Sequence, residues 1–325
     1  MERVLVIGGL GFIGYHLVHE LNSQNYMVTI SSRSERTSED HQFPVVKLDL
    51  LQMSDEEICN IITPFDHIIF AGGSDDRKIP KGDPNQFFYE GNVIPCKKLA
   101  TLSSGLQTKK LIMLGSYFSY FNRTNPIWKM TEKHPYVLSR SLQLSESLKA
   151  AEGKVAVSSV EIPYVFGAAP NHVPLWKPLV DYIDSWPVIF YTKGGTNIIS
   201  VEELSKAIVG IINTPIYQES WTVGGVNLSW KEMIGMIANA LDKKKKVITI
   251  PTFILKGLAI LLNLYFKLSN KGPGLDPYHF LDIQTRKTYL DTSHSRSLLK
   301  YIETDIKKAV KETVQACKRP VNGTV

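Results

Sequence analysis

Short, continuous apolar runs alternate with amphipathic stretches through the first half of the chain. Runs at Arg3–Ile7 and at residues 27–31, 45–48, 67–71, 110–115 and 155–162 predict strands. Between them, apolar positions recur at helical spacing over residues 12–22, Asp55–Ile62, 86–103 and Pro135–Ala151. Strands that are apolar at every position, rather than at alternate ones, are covered on both faces. Joined by helices, they predict an α/β fold built on a doubly wound parallel sheet. After Gly167 the texture changes. Pro170, Pro174, Trp176, Pro178, Trp186 and Pro187 crowd together, strand candidates shorten, and helices are predicted near residues 202–212 and 230–241. The expectation is a first domain over residues 1–167 and a smaller α+β substrate domain over residues 168–325, with segments returning to the first.

The first strand runs directly into Gly8-Gly9-Leu10-Gly11-Phe12-Ile13-Gly14 and then into an amphipathic helix. Strand, glycine-rich turn and helix in this order form a Rossmann-type dinucleotide cradle. Close backbone approach at Gly8, Gly11 and Gly14 lets a pyrophosphate meet the helix N-terminus near Phe12 and Ile13. The second strand ends in Ser32-Arg33-Ser34, with Glu35 and Arg36 following. An NAD site places an acidic residue there, about 20 residues past the glycines, to hold the ribose hydroxyls. A hydroxyl and a guanidinium fork suit a 2′-phosphate instead. The cofactor therefore reads as NADP(H), with NAD(H) the lesser alternative.

Composition narrows the class without changing it. The formal charge is +6 and the pI near 9.0. The excess is scattered apart from Lys243-Lys244-Lys245-Lys246, which reads as a solvated turn, and no basic patch interleaved with aromatics points to nucleic acid. Cys59, Cys96 and Cys317 are odd in number and far apart, and the histidines lack ligand spacing, so neither a disulfide framework nor a metal site is expected. With the first strand at residue 3, no signal peptide is expected, which favours a reducing, cytoplasmic setting. The Asn122, Asn227 and Asn322 sequons then read as chance. Thr252–Leu268 is apolar except for Lys256, Asn263 and Lys267, which is short of a membrane span. It reads first as a buried or substrate-covering helix. The alternative is a helix lying on a membrane, aided by the preceding lysines.

The ordered segments resemble the extended short-chain dehydrogenase/reductase family, also described as NAD(P)-dependent epimerases and dehydratases. The glycine turn fits, with Ile7 where the family has Thr. Leu48-Asp49-Leu50 resembles the segment that contacts the adenine. Phe70-Ala71-Gly72-Gly73 resembles the strand end lining the pyrophosphate and nicotinamide ribose, and Asn92-Val93 the family's Asn-Val element. Leu114-Gly115-Ser116-Tyr117 resembles the strand end bearing the active-site Ser. Pro135-Tyr136-Val137-Leu138-Ser139-Arg140 is similar to the Tyr-x-x-x-Lys helix, with Arg in the Lys position. Ile162-Pro163-Tyr164-Val165-Phe166-Gly167 resembles the next strand, whose Pro163 borders the cofactor pocket. Later segments, Ile199-Ser200-Val201-Glu202-Glu203 and Asp291-Thr292-Ser293, extend the likeness through most of the chain. The resemblance implies catalytic Ser116, Tyr136 and Arg140, the last two also touching cofactor, and a homodimer formed through helices 86–103 and 135–151.

The residues themselves allow this chemistry. Tyr136 and Arg140 are four apart on a helix and share a face. A phenol there can protonate a carbonyl oxygen as hydride arrives, or accept the proton in reverse. Bringing a phenol from its ordinary value near 10 to neutrality takes about 4 kcal/mol, and a cation about 5 Å away at an effective dielectric of 20 supplies roughly 3 kcal/mol. Arg keeps the charge of Lys, but its planar guanidinium is aimed differently and does not release a proton.

Three functions stay open. The first is an NADP(H)-dependent oxidoreductase acting on a carbonyl or secondary alcohol of a small organic molecule. The second is a sugar-nucleotide epimerase or reductase, although Tyr164 occupies the position where those members carry Asn. The third is a catalytically degenerate NADP(H) binder marked by Arg140. Pro163, Gly194-Gly195-Thr196-Asn197 and Gly224-Gly225-Val226-Asn227-Leu228 are similar to dihydroflavonol reductases and hydroxysteroid dehydrogenases. With Trp176, Trp186 and Phe190, they point to an apolar or aromatic substrate.

Overall fold

The computed structural model describes residues 1–34 and 42–319. Glu35, Arg36 and the Asn322 sequon lie outside the described residues. The chain begins β1 (Arg3–Ile7), α1 (Phe12–Ser23), β2 (Met27–Ser32), β3 (Val45–Lys47), α2 (Asp55–Ile62) and β4 (His67–Phe70). It continues α3 (Pro84–Phe88), a π-helical turn (Tyr89–Val93), α4 (Ile94–Ser103), β5 (Lys110–Leu114), α5 (Tyr117–Thr124), α6 (Met130–Lys133), α7 (Pro135–Ala151) and β6 (Ala156–Glu161).

Beyond β6 come β7 (Tyr164–Phe166), α8 (Lys177–Ser185), β8 (Val188–Tyr191), β9 (Gly195–Ser200), α9 (Val201–Asn213) and β10 (Ser220–Thr222). The rest is β11 (Val226–Ser229), α10 (Trp230–Ala240), β12 (Lys246–Thr249), α11 (Thr252–Leu268), α12 (Pro277–Gln284), β13 (Lys287–Thr288), α13 (Ser293–Leu299) and α14 (Ile306–Lys318).

The main sheet is parallel, in the order β10-β6-β5-β4-β1-β2-β3. Its first strand shows why the apolar residues of a run, here residues 4–7, are consecutive rather than alternating. Val4 and Val6 join the cluster with Leu17, Val18 and Leu21 of α1, while Leu5 and Ile7 join the one with Ile58 and Ile62 of α2. Successive side chains point to opposite faces, and both faces are covered. The strand order reverses between β1 and β4, so a crevice opens at their C-terminal ends, where open α/β sheets bind ligands. The expected doubly wound parallel fold is therefore borne out.

After β6 the chain does not stay in one block. In a smaller sheet β9 pairs antiparallel with β11 and parallel with β7 and β13. Around it α8, α10 and α14 bury Val180, Ile183, Trp230, Ile234, Val310 and Val314 with Phe166 and Ile198. By contrast α9 packs against α1, and β10 adds itself beside β6 in the main sheet with Trp221 fully buried.

Two local expectations change. The helix predicted over 86–103 is broken by the π-helical turn, where the Ile94 N–H reaches the Tyr89 carbonyl five residues back. Pro95 has no N–H to offer the Gly91 carbonyl, so the ordinary ladder cannot run through this point. The second change concerns residues 252–268. They form a helix, but not a buried one: only Ala259 and Phe266 are buried. The reason is that Lys256 and Asn263 face the protein. Lys256 pairs with Asp282 and Asn263 donates to Asp276, which turns the apolar arc outward.

Candidate functional site

The site is assembled at the C-terminal ends of β1, β4 and β5. The Gly8–Gly14 turn (residues 8–14) leads into α1 with Gly11 as N-cap and no side-chain cap. Its first turn also lacks an acidic residue, whereas α2, α9 and α10 begin with a capping Ser and at least one Glu. The uncapped N–H groups and the positive end of the helix dipole therefore remain for an anion. A Cβ on Gly14 would overlap the Gly8 carbonyl, so the tight turn requires glycine there. These residues fit a dinucleotide pyrophosphate. Ser32 is buried at the end of β2 and its hydroxyl lies 3.4 Å from that of Ser34, while Arg33 is exposed. Asp49 is partly committed: its Oδ1 accepts from the backbone of Leu51 and Gln52 at 3.0 and 3.3 Å. Leu50 is buried beside it in the core.

The segment after β4 is clamped by Asn92, which the π-helical turn directs inward with no exposed surface. Its Oδ1 accepts from Ser74 N–H at 2.8 Å. Its amide donates to the Ser74 carbonyl at 3.2 Å and to Ser139 Oγ at 3.0 Å. Gly73, at φ +107°, passes so close that a Cβ would lie 2.5 Å from Asn92 Oδ1. Asn92 thus fastens Ala71-Gly72-Gly73-Ser74 to α7.

Tyr136 and Arg140 lie on the buried side of α7, 6% and 7% exposed. The guanidinium carbon sits 5.2 Å from the Tyr136 ring centroid. Arg140 Nη1 donates to the Leu114 carbonyl and to Gln143 Oε1, both at 3.0 Å, and Nη2 donates to the Ser74 carbonyl at 3.4 Å. Buried Nε has no partner. Ser116 caps α5, its Oγ accepting from Phe118 N–H at 3.3 Å, which leaves its own O–H free to donate. Pro163 is buried between β6 and β7, and the Ile162 carbonyl beside it accepts from Tyr117 N–H at 3.0 Å. The structure therefore brings Ser116, Tyr136, Arg140, Gly73 and Asn92 together. Ser32, Arg33 and Asp49 sit apart, at and just beyond the ends of β2 and β3.

The charge balance reverses one expectation. Burial pushes the Tyr136 phenol above its ordinary value, and Asp76 adds to the rise, although Arg140 and nearby Ser116 favour the ionised form. The cation is at about the expected distance, but desolvation outweighs it. At neutral pH the group is a neutral phenol, a proton donor. Preceding it, His134 is pushed down to about 4 by burial and accepts from Asp276 N–H at 3.1 Å, so it stays uncharged.

Tyr117, Phe118 and Asp76 carry no role in the sequence analysis, and Tyr164 and Trp176 gain neighbours here. Tyr117 sits beside Ser116, its hydroxyl 3.0 Å from Thr196 Oγ1, with burial pushing it up to about 12. Tyr164, also driven up by burial, lies 5.8 Å from the Tyr117 ring, 5.4 Å from Trp176 and 5.9 Å from Trp230. Phe118 packs 6.0 Å from Phe280 and 6.5 Å from Tyr136. The wall beside Tyr136 is thus aromatic and uncharged. Asp76 opposes ionisation of Tyr117, Tyr136 and Tyr164 alike, and is itself raised by burial. The only available hint was an acidic pair, Asp75-Asp76, just after the glycines of a strand end.

Sheet order, open helix N-terminus and buried Tyr-Arg pair define a dinucleotide-binding α/β protein of the doubly wound type. The profile of the NAD dependent epimerase/dehydratase family matches residues 4–171, and the chain belongs to that family. Among solved structures it is similar to the crystal structure of gox2253, at 15% identity over 97% of this chain and 98% of that one, with a TM-score of 0.78. It is also similar to the UDP-glucuronic acid 4-epimerase of Bacillus cereus in complex with NAD, at 15% identity, coverage of 98% and 100%, and a TM-score of 0.68. The UDP-N-acetylglucosamine 4-epimerase of Bacillus cereus gives 14% identity, 98% and 100% coverage and a TM-score of 0.69. At such identities the likeness shows the fold. No curated protein matches the sequence.

Removing the Asn92 clamp should loosen the loop without touching the phenol. Asn92→Ala strips partners from Ser74 and Ser139 and should destabilise the fold by about 1–3 kcal/mol, read as a lower denaturant midpoint. An unchanged midpoint would show that Asn92 does not hold the loop.

Proposed function

We propose that this chain is an NADP(H)-dependent oxidoreductase that interconverts a carbonyl and a secondary alcohol on a small apolar or aromatic molecule. The observation that carries the reading is the neutral Tyr136 phenol, with Arg140 over its ring and Ser116 at the adjoining strand end. The dinucleotide, when bound, would supply or take up the hydride. Gly8, Gly11 and Gly14, with the backbone of Phe12 and Ile13, would receive its pyrophosphate, and Ser32 and Arg33 the 2′-phosphate. Asp49, Ala71, Gly72, Gly73 and Pro163 would line the rest of its path.

Ser116 orients the substrate oxygen through its O–H, and Tyr136 delivers the proton to that oxygen in the reducing direction. Arg140 stabilises the phenolate left behind and so limits the penalty of charge in a buried site. The aromatic wall of Tyr117, Phe118, Tyr164 and Trp176 supports an apolar or aromatic substrate. Arg123 and Arg296 are engaged with the buried carboxylates of Glu161 and Glu203, which reduces their availability to a substrate diphosphate.

The named neighbours favour a second reading, sugar-nucleotide epimerisation, because two of them are described as UDP-sugar 4-epimerases. An epimerase keeps one cofactor bound through both half-reactions, reduced in the first and re-oxidised in the second, so it purifies with dinucleotide bound. A reductase exchanges cofactor at every turnover and emerges without it. Recovery of tightly held dinucleotide, with activity on UDP-sugars, would replace the first reading by the second.

Calorimetric titration checks the coenzyme assignment. NADPH should bind about tenfold or more tightly than NADH, and Arg33→Ala should erase most of the difference. Equal affinities would remove the 2′-phosphate assignment.

Turnover checks the phenol. Tyr136→Phe should lower carbonyl reduction by about 10²–10⁴-fold with NADPH affinity kept. Because burial raises the phenol, it stays protonated from about pH 6 to 9, so its contribution to reduction should be flat there. Alcohol oxidation, which needs the phenolate, should rise with pH. Undiminished reduction in Tyr136→Phe across a panel of ketones would end this assignment.

A further inference from the structure

Helix α11 inverts the usual arrangement of a surface helix. Phe253, Leu258, Leu261 and Leu268 are 76%, 59%, 64% and 79% exposed. Ile254, Ile260, Leu262, Leu264 and Tyr265 are exposed as well, and together these positions cover about half of the helix circumference. The opposite arc carries the polar groups. Lys256 Nζ lies 2.7 Å from Asp282 and 4.6 Å from the Tyr278 ring centroid, and Asn263 donates to Asp276 at 2.8 Å. A helix evolved to face water places these arcs the other way round. An apolar surface of this extent, contiguous along 17 residues, exceeds the scattered side chains that ordinary monomers leave exposed.

Further exposed apolar side chains stand on β8 and β12, the strand that precedes α11, and exposed lysines occur on both sides of the helix in the chain. Phe190 and Ile248 are partners in the β8–β12 pair and are both exposed, on the face opposite buried Ile189. Trp186, just before β8, is 59% exposed. Lys244 and Lys246, exposed in the lysine run, precede the apolar helix with the rest of β12 between them, and Lys267 stands exposed at its far end. Apolar side chains flanked by lysines at both ends match the two layers of a membrane interface, acyl chains below and anionic headgroups above.

We propose that α11, with Phe190, Trp186 and Ile248, seats the protein on the surface of an anionic lipid bilayer. Among the described residues no helix is long and apolar enough to cross a membrane. The inward arc of α11 is tied to the α12 segment through Asp276 and Asp282, so the helix lies in the interfacial plane while the rest of the protein stays in water. The segment leaving α11 also reaches the helix that carries Tyr136. Lys271 N–H donates to the Phe266 carbonyl and Gly272 N–H to the Pro80 carbonyl, while the Gly274 carbonyl accepts from Tyr136 N–H at 3.0 Å. The lipid-facing helix and the buried phenol are therefore joined by a short, hydrogen-bonded stretch of chain.

The test is co-sedimentation of the full chain with vesicles of phosphatidylcholine alone or mixed with phosphatidylserine. The wild type should pellet with the mixed vesicles, and more weakly with phosphatidylcholine alone. The double variant L258E/L261E should bind about tenfold or more weakly while keeping the wild-type circular dichroism. Should that variant misfold, F253W in the otherwise unchanged protein reports directly: quenching by brominated lipid supports insertion, and its absence overturns it. Wild-type protein that stays in the supernatant with both vesicles overturns the proposal. So does an equilibrium sedimentation dimer that L258E/L261E converts to monomer without any lipid binding, which would assign the face to a second copy of the chain.

Discussion

A guanidinium buried between two strand ends is the constraint on which the site depends. Arg140 reaches from α7 to the Leu114 carbonyl at the end of β5 and to the Ser74 carbonyl beyond β4. A charge removed from water is costly unless hydrogen bonds replace the lost solvation. Backbone carbonyls and Gln143 supply that replacement, so the side chain cannot leave without stranding either itself or them. Its fixed position then determines where a positive charge stands relative to the Tyr136 ring.

Once α7 is held in this way, the remaining geometry follows. Asn92 draws the loop after β4 onto the same helix through Ser74 and Ser139. The opening at the end of β5 is bordered by Tyr117, Phe118 and Tyr164, which burial keeps neutral or which carry no charge at all. In such surroundings one cation weighs more than it would in water. Yet it does not outweigh desolvation of the phenolate, and Tyr136 rests as a protonated acid. The resting charge state is that of a proton donor, as the proposed carbonyl reduction requires.

Much of this was legible in the sequence because it is encoded locally. The apolar strand followed by Gly8, Gly11 and Gly14 specifies a tight turn through spacing alone, and the four-residue interval between Tyr136 and Arg140 puts them on one face. What stayed hidden depends on contacts far along the chain. The targets of Arg140 are the carbonyls of Leu114 and Ser74, and backbone atoms leave no mark in composition. Asp76 matters only because folding carries its loop over three phenols. The π-helical turn needed Pro95 to be read together with the carbonyl four residues earlier. For residues 252–268 the hydrophobic pattern located the helix but misjudged its facing, because Asp276 and Asp282, which pull its polar arc inward, lie beyond the helix itself.

In the proposed reaction Arg140 acts through a fixed positive charge at the phenol, not through a proton of its own. Comparing turnover of Arg140→Lys and Arg140→Met, each with its melting temperature recorded, tests this most directly. Arg140→Lys should keep substantial carbonyl reduction. Arg140→Met, folded but uncharged, should lose about a hundredfold or more, equivalent to roughly 3 kcal/mol of phenolate stabilisation. Wild-type turnover in Arg140→Met would contradict that role.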